Sequence, residues 1–140
     1  MKRIFLAALF AFASIGAFAA PGDPVKVVYH NNEGVERAPQ MIRNIRNHLN
    51  ADPKVKIVVV SHALGVNFLL RDAKDANGNP FEVAVQELAA KGVEFRLCEF
   101  TLKSRNIDPK QAIEEAKLVP SGVAEVSRLQ FQEGYAYLKP

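Results

Sequence analysis

The chain is predicted to fold as an α/β domain, a three-layer α/β/α sandwich around a mostly parallel sheet of about five strands. Three observations predict it. Runs rich in β-branched residues alternate with helical apolar patterns along the chain. The second such run, Val55-Lys56-Ile57-Val58-Val59-Val60, ends without a polar interruption, as suits a strand buried on both faces. Turn and stop signals, Asn77-Gly78-Asn79-Pro80 and Lys91-Gly92, punctuate the periodic segments.

The first strand is Val25 to His30, followed by Asn31-Asn32-Glu33-Gly34. Ala38, Met41, Ile42, Ile45 and Leu49 then recur at helical spacing, with polar residues between them. After the second strand come Ser61-His62-Ala63-Leu64-Gly65 and a short apolar piece, Val66 to Leu70, long enough for one or two helical turns. Asn77-Gly78-Asn79-Pro80 signals a turn, and Pro80 opens a helix that presents Phe81, Ala84, Val85, Leu88 and Ala89 on one side. Gly92 closes it, where a left-handed residue is wanted. The third strand is Val93 to Cys98. Asp108-Pro109 reads as a cap and first turn of a helix through Ala112, Ile113 and Ala116. Leu118-Val119 is a very short strand. Ser121 caps a helix through Val123, Val126 and Leu129, closed by Gly134, and Tyr135 to Leu138 is a last short strand of unassigned direction. Right-handed crossovers put helices on both faces of such a sheet.

The 140 residues begin with an export signal. Lys2 and Arg3 precede an apolar run from Ile4 to Phe18, and Ala17-Phe18-Ala19 supplies a small-x-small cleavage pattern. Residues 1–19 are expected to be removed, leaving one domain over residues 20–140, periplasmic and free of the membrane. A retained anchor would need a longer apolar run, about 20 residues. Without Lys2 and Arg3 the chain has 16 basic and 15 acidic residues, a formal charge of +1. Arg37, Arg43 and Arg46 stand beside Glu33 and Glu36, which makes a solvated helix face rather than a nucleic-acid surface.

In open parallel sheets ligands bind beyond the carboxyl ends of the strands. That rule selects His30, Asn31 and Asn32 after strand one, Ser61 and His62 after strand two, Cys98 at the end of strand three, and Pro120-Ser121-Gly122 after strand four. Cys98 is the chain's single cysteine, so it is either packed and inert or kept for chemistry. The turn starting near Thr101, with Lys103 and Arg105, would favour its thiolate, and Glu99 would oppose it. His62 is the best-placed imidazole for a catalytic role, Asn31, Ser61, Ser121 and Gly122 are candidates for substrate binding, His48 reads as solvated, and the face of His30 is unassigned. The three histidines and one cysteine have no metal-ligand spacing, no dinucleotide or phosphate fingerprint occurs, and no cofactor or metal is expected. A hydrolase built on Ser61 or Ser121 lacks an identifiable base.

Val59-Val60-Ser61-His62 with Gly65 and Phe68-Leu69-Leu70, then Gly92-Val93-Glu94-Phe95 leading to Cys98 and Thr101-Leu102, resembles the DsrE/DsrF-like family. Asn106-Ile107-Asp108 and the ending Val119-Pro120-Ser121-Gly122-Val123-Ala124-Glu125, Arg128-Leu129-Gln130, Glu133-Gly134-Tyr135-Ala136-Tyr137 extend the likeness. Within that family the chain is similar to the small exported single-domain branch. The resemblance implies the same three-layer domain, homo-oligomers (trimers or hexamers), and a link to sulfur metabolism. Cys98 would then carry sulfur as a persulfide between a donor and an acceptor protein. Relay members place their cysteine in a small-residue segment before an arginine-glycine pair, whereas Cys98 precedes Glu99-Phe100-Thr101-Leu102. Two functions stay open: a sulfur carrier or sulfurtransferase-like protein, and a non-enzymatic oligomeric module that binds a small ligand or protein with Cys98 inert.

Overall fold

The computed structural model describes residues 22–140; the predicted export signal lies outside them. Five strands form one sheet in the order β4-β3-β2-β1-β5, and every pairing is parallel. They are β1 (Lys26–Asn31), β2 (Lys56–Ser61), β3 (Glu94–Cys98), β4 (Ala116–Val119) and β5 (Ala136–Leu138). The chain steps outward from β1 to β4 and then returns across the sheet to lay β5 against the free side of β1. Reversing direction moves the crossover to the opposite face, because parallel crossovers keep one hand. Helices α1 (Ala38–Ala51) and α2 (Phe81–Ala90) therefore pack on one face, and α4 (Gly122–Glu133) packs on the other.

Burial follows the sequence pattern closely. Ile57, Val58, Val59 and Val60 of the second strand are all buried, alternate members facing opposite layers. On one side Val27, Tyr29, Ile57, Val59, Phe95 and Leu97 meet Met41, Ile42 and Ile45 of α1 and Phe81, Val85 and Leu88 of α2. On the other, Val28, Val58 and Val60 meet only Val126 and Leu129 of α4, with Tyr135 at the margin. The helix ends match expectation: Gly92 and Gly134 have φ of 91° and 72°, and the Ser121 hydroxyl accepts from the Ala124 N–H at 3.3 Å. The final strand, left without a direction by the sequence, pairs parallel to β1.

One predicted helix does not form. After Asp108 the chain makes a single 3-10 turn, Pro109–Gln111, and Ala116 already belongs to β4. The Arg71 N–H donates to the Gln111 carbonyl at 2.7 Å, and the Ile113 N–H to the Leu69 carbonyl at 3.0 Å. These backbone partners hold Ala112 extended against Leu70, at the end of the 3-10 segment Ala63–Leu69, and Ile113 reaches the core from there. Tertiary pairing outweighs the local helix signal. His48 is a second correction. It is not merely solvated, since the Tyr29 hydroxyl and its Nδ1 are 3.0 Å apart.

The α4 layer is tied down by charge as well as by its few apolar contacts. Glu125, mostly buried, accepts from Arg128 at 2.8 and 2.9 Å and from Arg96 on β3. Hydrogen bonds from Arg128 hold its carboxyl below the ordinary carboxylate range, burial pushes the other way, and Arg96 adds to the lowering. A depressed folded-state pKa contributes stability above the unfolded value and loses it as pH falls through the folded one. Wild-type protein is accordingly expected to lose denaturant resistance between neutral pH and about pH 3, and Glu125→Gln to be weaker at neutral pH by about 2 kcal/mol with a flatter profile. Urea midpoints at both pH values check this. An unchanged pH slope in the variant would show that Glu125 is not the group responsible.

Candidate functional site

The carboxyl ends of β1, β2 and β3 and the start of α4 meet at one end of the α4 layer. The strand alternation assigns the faces. His30 lies with Val28, His62 with Val58 and Val60, and Cys98 with Glu94 and Arg96, all on the α4 side. Asn31 and Ser61 alternate to the other side. There Asn31 Nδ2 donates to the Gly65 carbonyl at 3.2 Å, and its Oδ1 accepts from the Glu33 N–H at 3.4 Å. Ser61 is fully buried and its hydroxyl has no partner among the described residues. Ser121 is engaged as the cap of α4. Of the sequence-selected residues, the structure therefore brings together Cys98, His62 and Gly122, and sets Asn31 and Ser61 behind them.

Gly122 is the hinge of that grouping. A Cβ built on it would stand 3.0 Å from the His62 Cβ and 3.3 Å from the Cys98 Cβ. The absence of a side chain lets α4 begin this close to both. Cys98 is 5% exposed, yet it belongs to neither hydrophobic cluster. Burial pushes its thiol pKa up, but hydrogen bonds from the Thr101 hydroxyl and from the Gly122, Thr101 and Phe100 N–H groups outweigh burial and hold it below the ordinary value. The Thr101 N–H lies 3.4 Å from Sγ. That N–H belongs to the first turn of α3 (Glu99–Ser104), which Cys98 caps, and Gly122 opens α4 close by.

Thr101 was not singled out from the sequence, although the turn it begins was. Its Oγ1 accepts the Ala63 N–H at 3.1 Å, which leaves the hydroxyl hydrogen free to point at sulfur. Ala63 sits at φ 50°, a conformation that a non-glycine residue holds only when its surroundings enforce it. The Thr101 hydroxyl on its N–H and Arg105 on its carbonyl, at 3.1 Å, supply that enforcement. Arg105 also donates to Asn67 Oδ1 at 2.8 Å, so its guanidinium braces this loop instead of standing beside Cys98 as the sequence suggested. Neither Lys103 nor Glu99 is among the groups that shift the thiol.

The imidazoles form a row. His62 Nε2 and His30 Nε2 are 2.6 Å apart, edge to edge with the ring planes 22° apart, and His30 Nδ1 lies 2.7 Å from the Tyr137 hydroxyl. Burial is the main cause lowering the pKa of both; the His62 ring and then Lys139 add to it at His30, and Lys139 alone at His62. Both rings are therefore neutral at neutral pH. Period-two alternation already places His30 on the face of Val28, but its meeting with His62 depends on strand register, which local sequence does not carry. Among the described residues no group of three or more histidine, cysteine or carboxylate side chains is placed to hold a metal ion. Nor is any helix there long and apolar enough to cross a membrane.

With this geometry in place, comparison with known proteins is informative. No curated protein matches the chain. Among solved structures, a protein of unknown function, MTH1491 from Methanobacterium thermoautotrophicum, is 34% identical with a TM-score of 0.73, covering 83% of this chain and 99% of its own. The ychN protein from E. coli has the same fold at 15% identity and a TM-score of 0.65, over 84% of this chain and 99% of its own. The DsrE/DsrF-like family matches residues 24–140, which spans all five strands and every residue of the Cys98 site. The chain belongs to the DsrE/DsrF-like family, a family associated with sulfur metabolism.

Proposed function

We propose that the protein is a periplasmic sulfur carrier in which Cys98 takes up sulfane sulfur as a persulfide and yields it to an acceptor thiol. The observation that carries this reading is the hydrogen bond that the Thr101 N–H donates at 3.4 Å to an otherwise buried Sγ, in surroundings that hold the thiol below its ordinary value. An inert packing cysteine would lie among hydrocarbon, whereas hydrogen-bond donors favour the anion that does the chemistry. In loading, the Cys98 thiolate attacks the outer sulfur of a donor persulfide, and the donor leaves as a thiol after taking a proton. Handover is the reverse, with the acceptor thiolate attacking the outer sulfur and Cys98 leaving. No oxidant or reductant is consumed. The outer sulfur of the persulfide stands about 2 Å beyond Sγ, which brings it nearer the surface than the thiol itself.

Exposed apolar side chains occur one or two residues past each site element. Phe100 follows Cys98 and is 64% exposed, Val123 follows Gly122 at 59%, and Leu64 follows His62 and is likewise exposed. Such a rim suits the approach of a donor or acceptor protein. A homo-oligomer, trimer or hexamer, has support from the thin α4 layer, where Phe131 is 94% exposed beyond a cluster of only five buried residues. The leader at residues 1–19 supports export to the periplasm.

Incubation of the pre-reduced protein, freed of reductant, with a sulfane-sulfur donor under anaerobic conditions should add one sulfur atom by intact mass, reversed by excess low-molecular-weight thiol. Cys98→Ser should add none. The competing reading, an oligomeric binding module, draws on the low exposure of Cys98 and predicts a thiol that labels only on unfolding. A folded, monodisperse protein that gains no mass and resists alkylation would establish that reading and end the carrier proposal.

A further inference from the structure

We propose that His30, His62 and Tyr137 form a shared-proton relay that serves Cys98, with His62 Nδ1 as the exchanging base and His30 and Tyr137 as positioning residues. Two Nε2 atoms 2.6 Å apart can be in contact only if one carries hydrogen and the other a lone pair. Two N–H groups cannot point at each other at that distance. The pair therefore holds at most one positive charge while the contact lasts, and it titrates as a unit.

The contact also decides which nitrogen of His62 is available. Nε2 is occupied by His30, so Nδ1 alone is left for any other group. Nδ1 is the ring nitrogen nearer Cβ, and the His62 Cβ and the Cys98 Cβ lie 3.0 and 3.3 Å from the point where a Cβ on Gly122 would stand. The two Cβ atoms are therefore at most about 6.3 Å apart, which puts the free nitrogen of His62 and the sulfur on neighbouring side chains. At the far end, His30 Nδ1 and the Tyr137 hydroxyl are 2.7 Å apart, and Tyr137 reaches the surface on β5.

Two proton orders exist along this row. When His62 donates from Nε2 to His30, its Nδ1 is bare and can take a proton, while His30 donates from Nδ1 to Tyr137. When Tyr137 donates to His30, the order reverses and His62 carries its hydrogen on Nδ1. Taking a proton at Nδ1 from the first order allows the Nε2 hydrogen to pass to His30, which moves the charge one ring away from sulfur. Lys139 on the strand-end side opposes a second positive charge, and Glu33, 3.3 Å from the Lys139 ammonium, offsets it in part. On the same face Glu94 and Arg96 of β3 and Glu125 and Arg128 of α4 are ion-paired with one another, and Cys98 and Tyr137 are the titratable groups of the site itself. In the sulfur cycle the relay would take the proton released when Cys98 becomes a thiolate and return it to the departing donor thiolate, so the exchange is proton-neutral.

For its biological use this inference rests on the carrier reading, but its test does not. Imidazole 1H–15N correlation spectra of the reduced, unloaded protein are expected to show His30 and His62 titrating in two coupled steps. The second proton should bind at least about tenfold more weakly than the first. Tyr137→Phe should change the tautomer balance at both rings and leave His48, which is bonded to Tyr29, as an unmoved internal reference. In parallel, the pH profile of Cys98 alkylation by iodoacetamide should carry the inflection of the pair. His30→Phe should slow alkylation about tenfold at neutral pH and remove that inflection. His30→Gln, whose amide can still donate to His62 Nε2, should recover most of the rate. Independent single-site titrations in the wild type would overturn the shared proton. Coupled titration with an alkylation profile indifferent to His30→Phe would overturn the link to Cys98. Failure of Cys98 to load with sulfur would remove the carrier function and leave both results standing.

Discussion

Gly65→Ala is expected to destabilise the protein by about 3 kcal/mol, a drop of roughly 10 °C in Tm. A Cβ at this position would lie 2.3 Å from the Asn31 carbonyl oxygen and 2.6 Å from its carbon. Both are backbone atoms, so no rotamer change relieves the overlap. The Asn31 carbonyl cannot retreat freely either, because it accepts the His62 N–H at 3.1 Å, and Asn31 Nδ2 is bonded to the Gly65 carbonyl. The two loops would have to separate, and His62 would move with them. Calorimetry on the wild type and variant reads the stability. A melting temperature within about 2 °C of wild type would mean that the loops give way at little cost and that the close approach is not structurally required.

Gly122→Ala should do the opposite: little to stability, much to the thiol. Its added methyl would meet side-chain carbons of His62 and Cys98 at 3.0 and 3.3 Å, and the Ser61 carbonyl oxygen at 3.5 Å. Displacing the start of α4 by a few tenths of an ångström costs about 1 kcal/mol in a packed interior. The same displacement draws the Gly122 N–H away from Sγ, removing one of the donors that counter burial. Burial would then dominate and the thiol pKa would rise. With a rise of about one unit, the thiolate fraction at neutral pH falls about tenfold, and alkylation slows with it. Comparing alkylation rates near neutral pH and at about pH 10 separates the causes. A tenfold loss at neutral pH that vanishes in alkali identifies lost thiolate stabilisation, whereas an equal loss at both would identify blocked access instead.

The contrast between these glycines bears on what was legible beforehand. Nothing in the local sequence of Gly65 or Gly122 distinguishes a structural close approach from a functional one. Gly92 and Gly134 were legible, because each follows a helical apolar pattern and needs only its own φ. Thr101 shows the same limit. Its position in a turn could be read, but the Ala63 N–H that orients its hydroxyl comes from a loop 38 residues away.

The fold class, the strand-helix order and the face buried by each long element were determined by the chain's own periodicity. Val58-Val59-Val60, the Met41-Ile42-Ile45 stripe and the Ser121 cap have no other comfortable arrangement in water. Cys98, His62 and Gly122 could be nominated because the ends of parallel strands gather on one edge. Register and crossover decided the rest: that His30 meets His62, that β5 delivers Tyr137 beside them, and that residues 111–113 pair with Leu69–Arg71 instead of forming a helix. These are contacts between segments far apart in the chain. Their energies depend on which atoms are brought within a few ångströms, a quantity that exists only once the chain has folded.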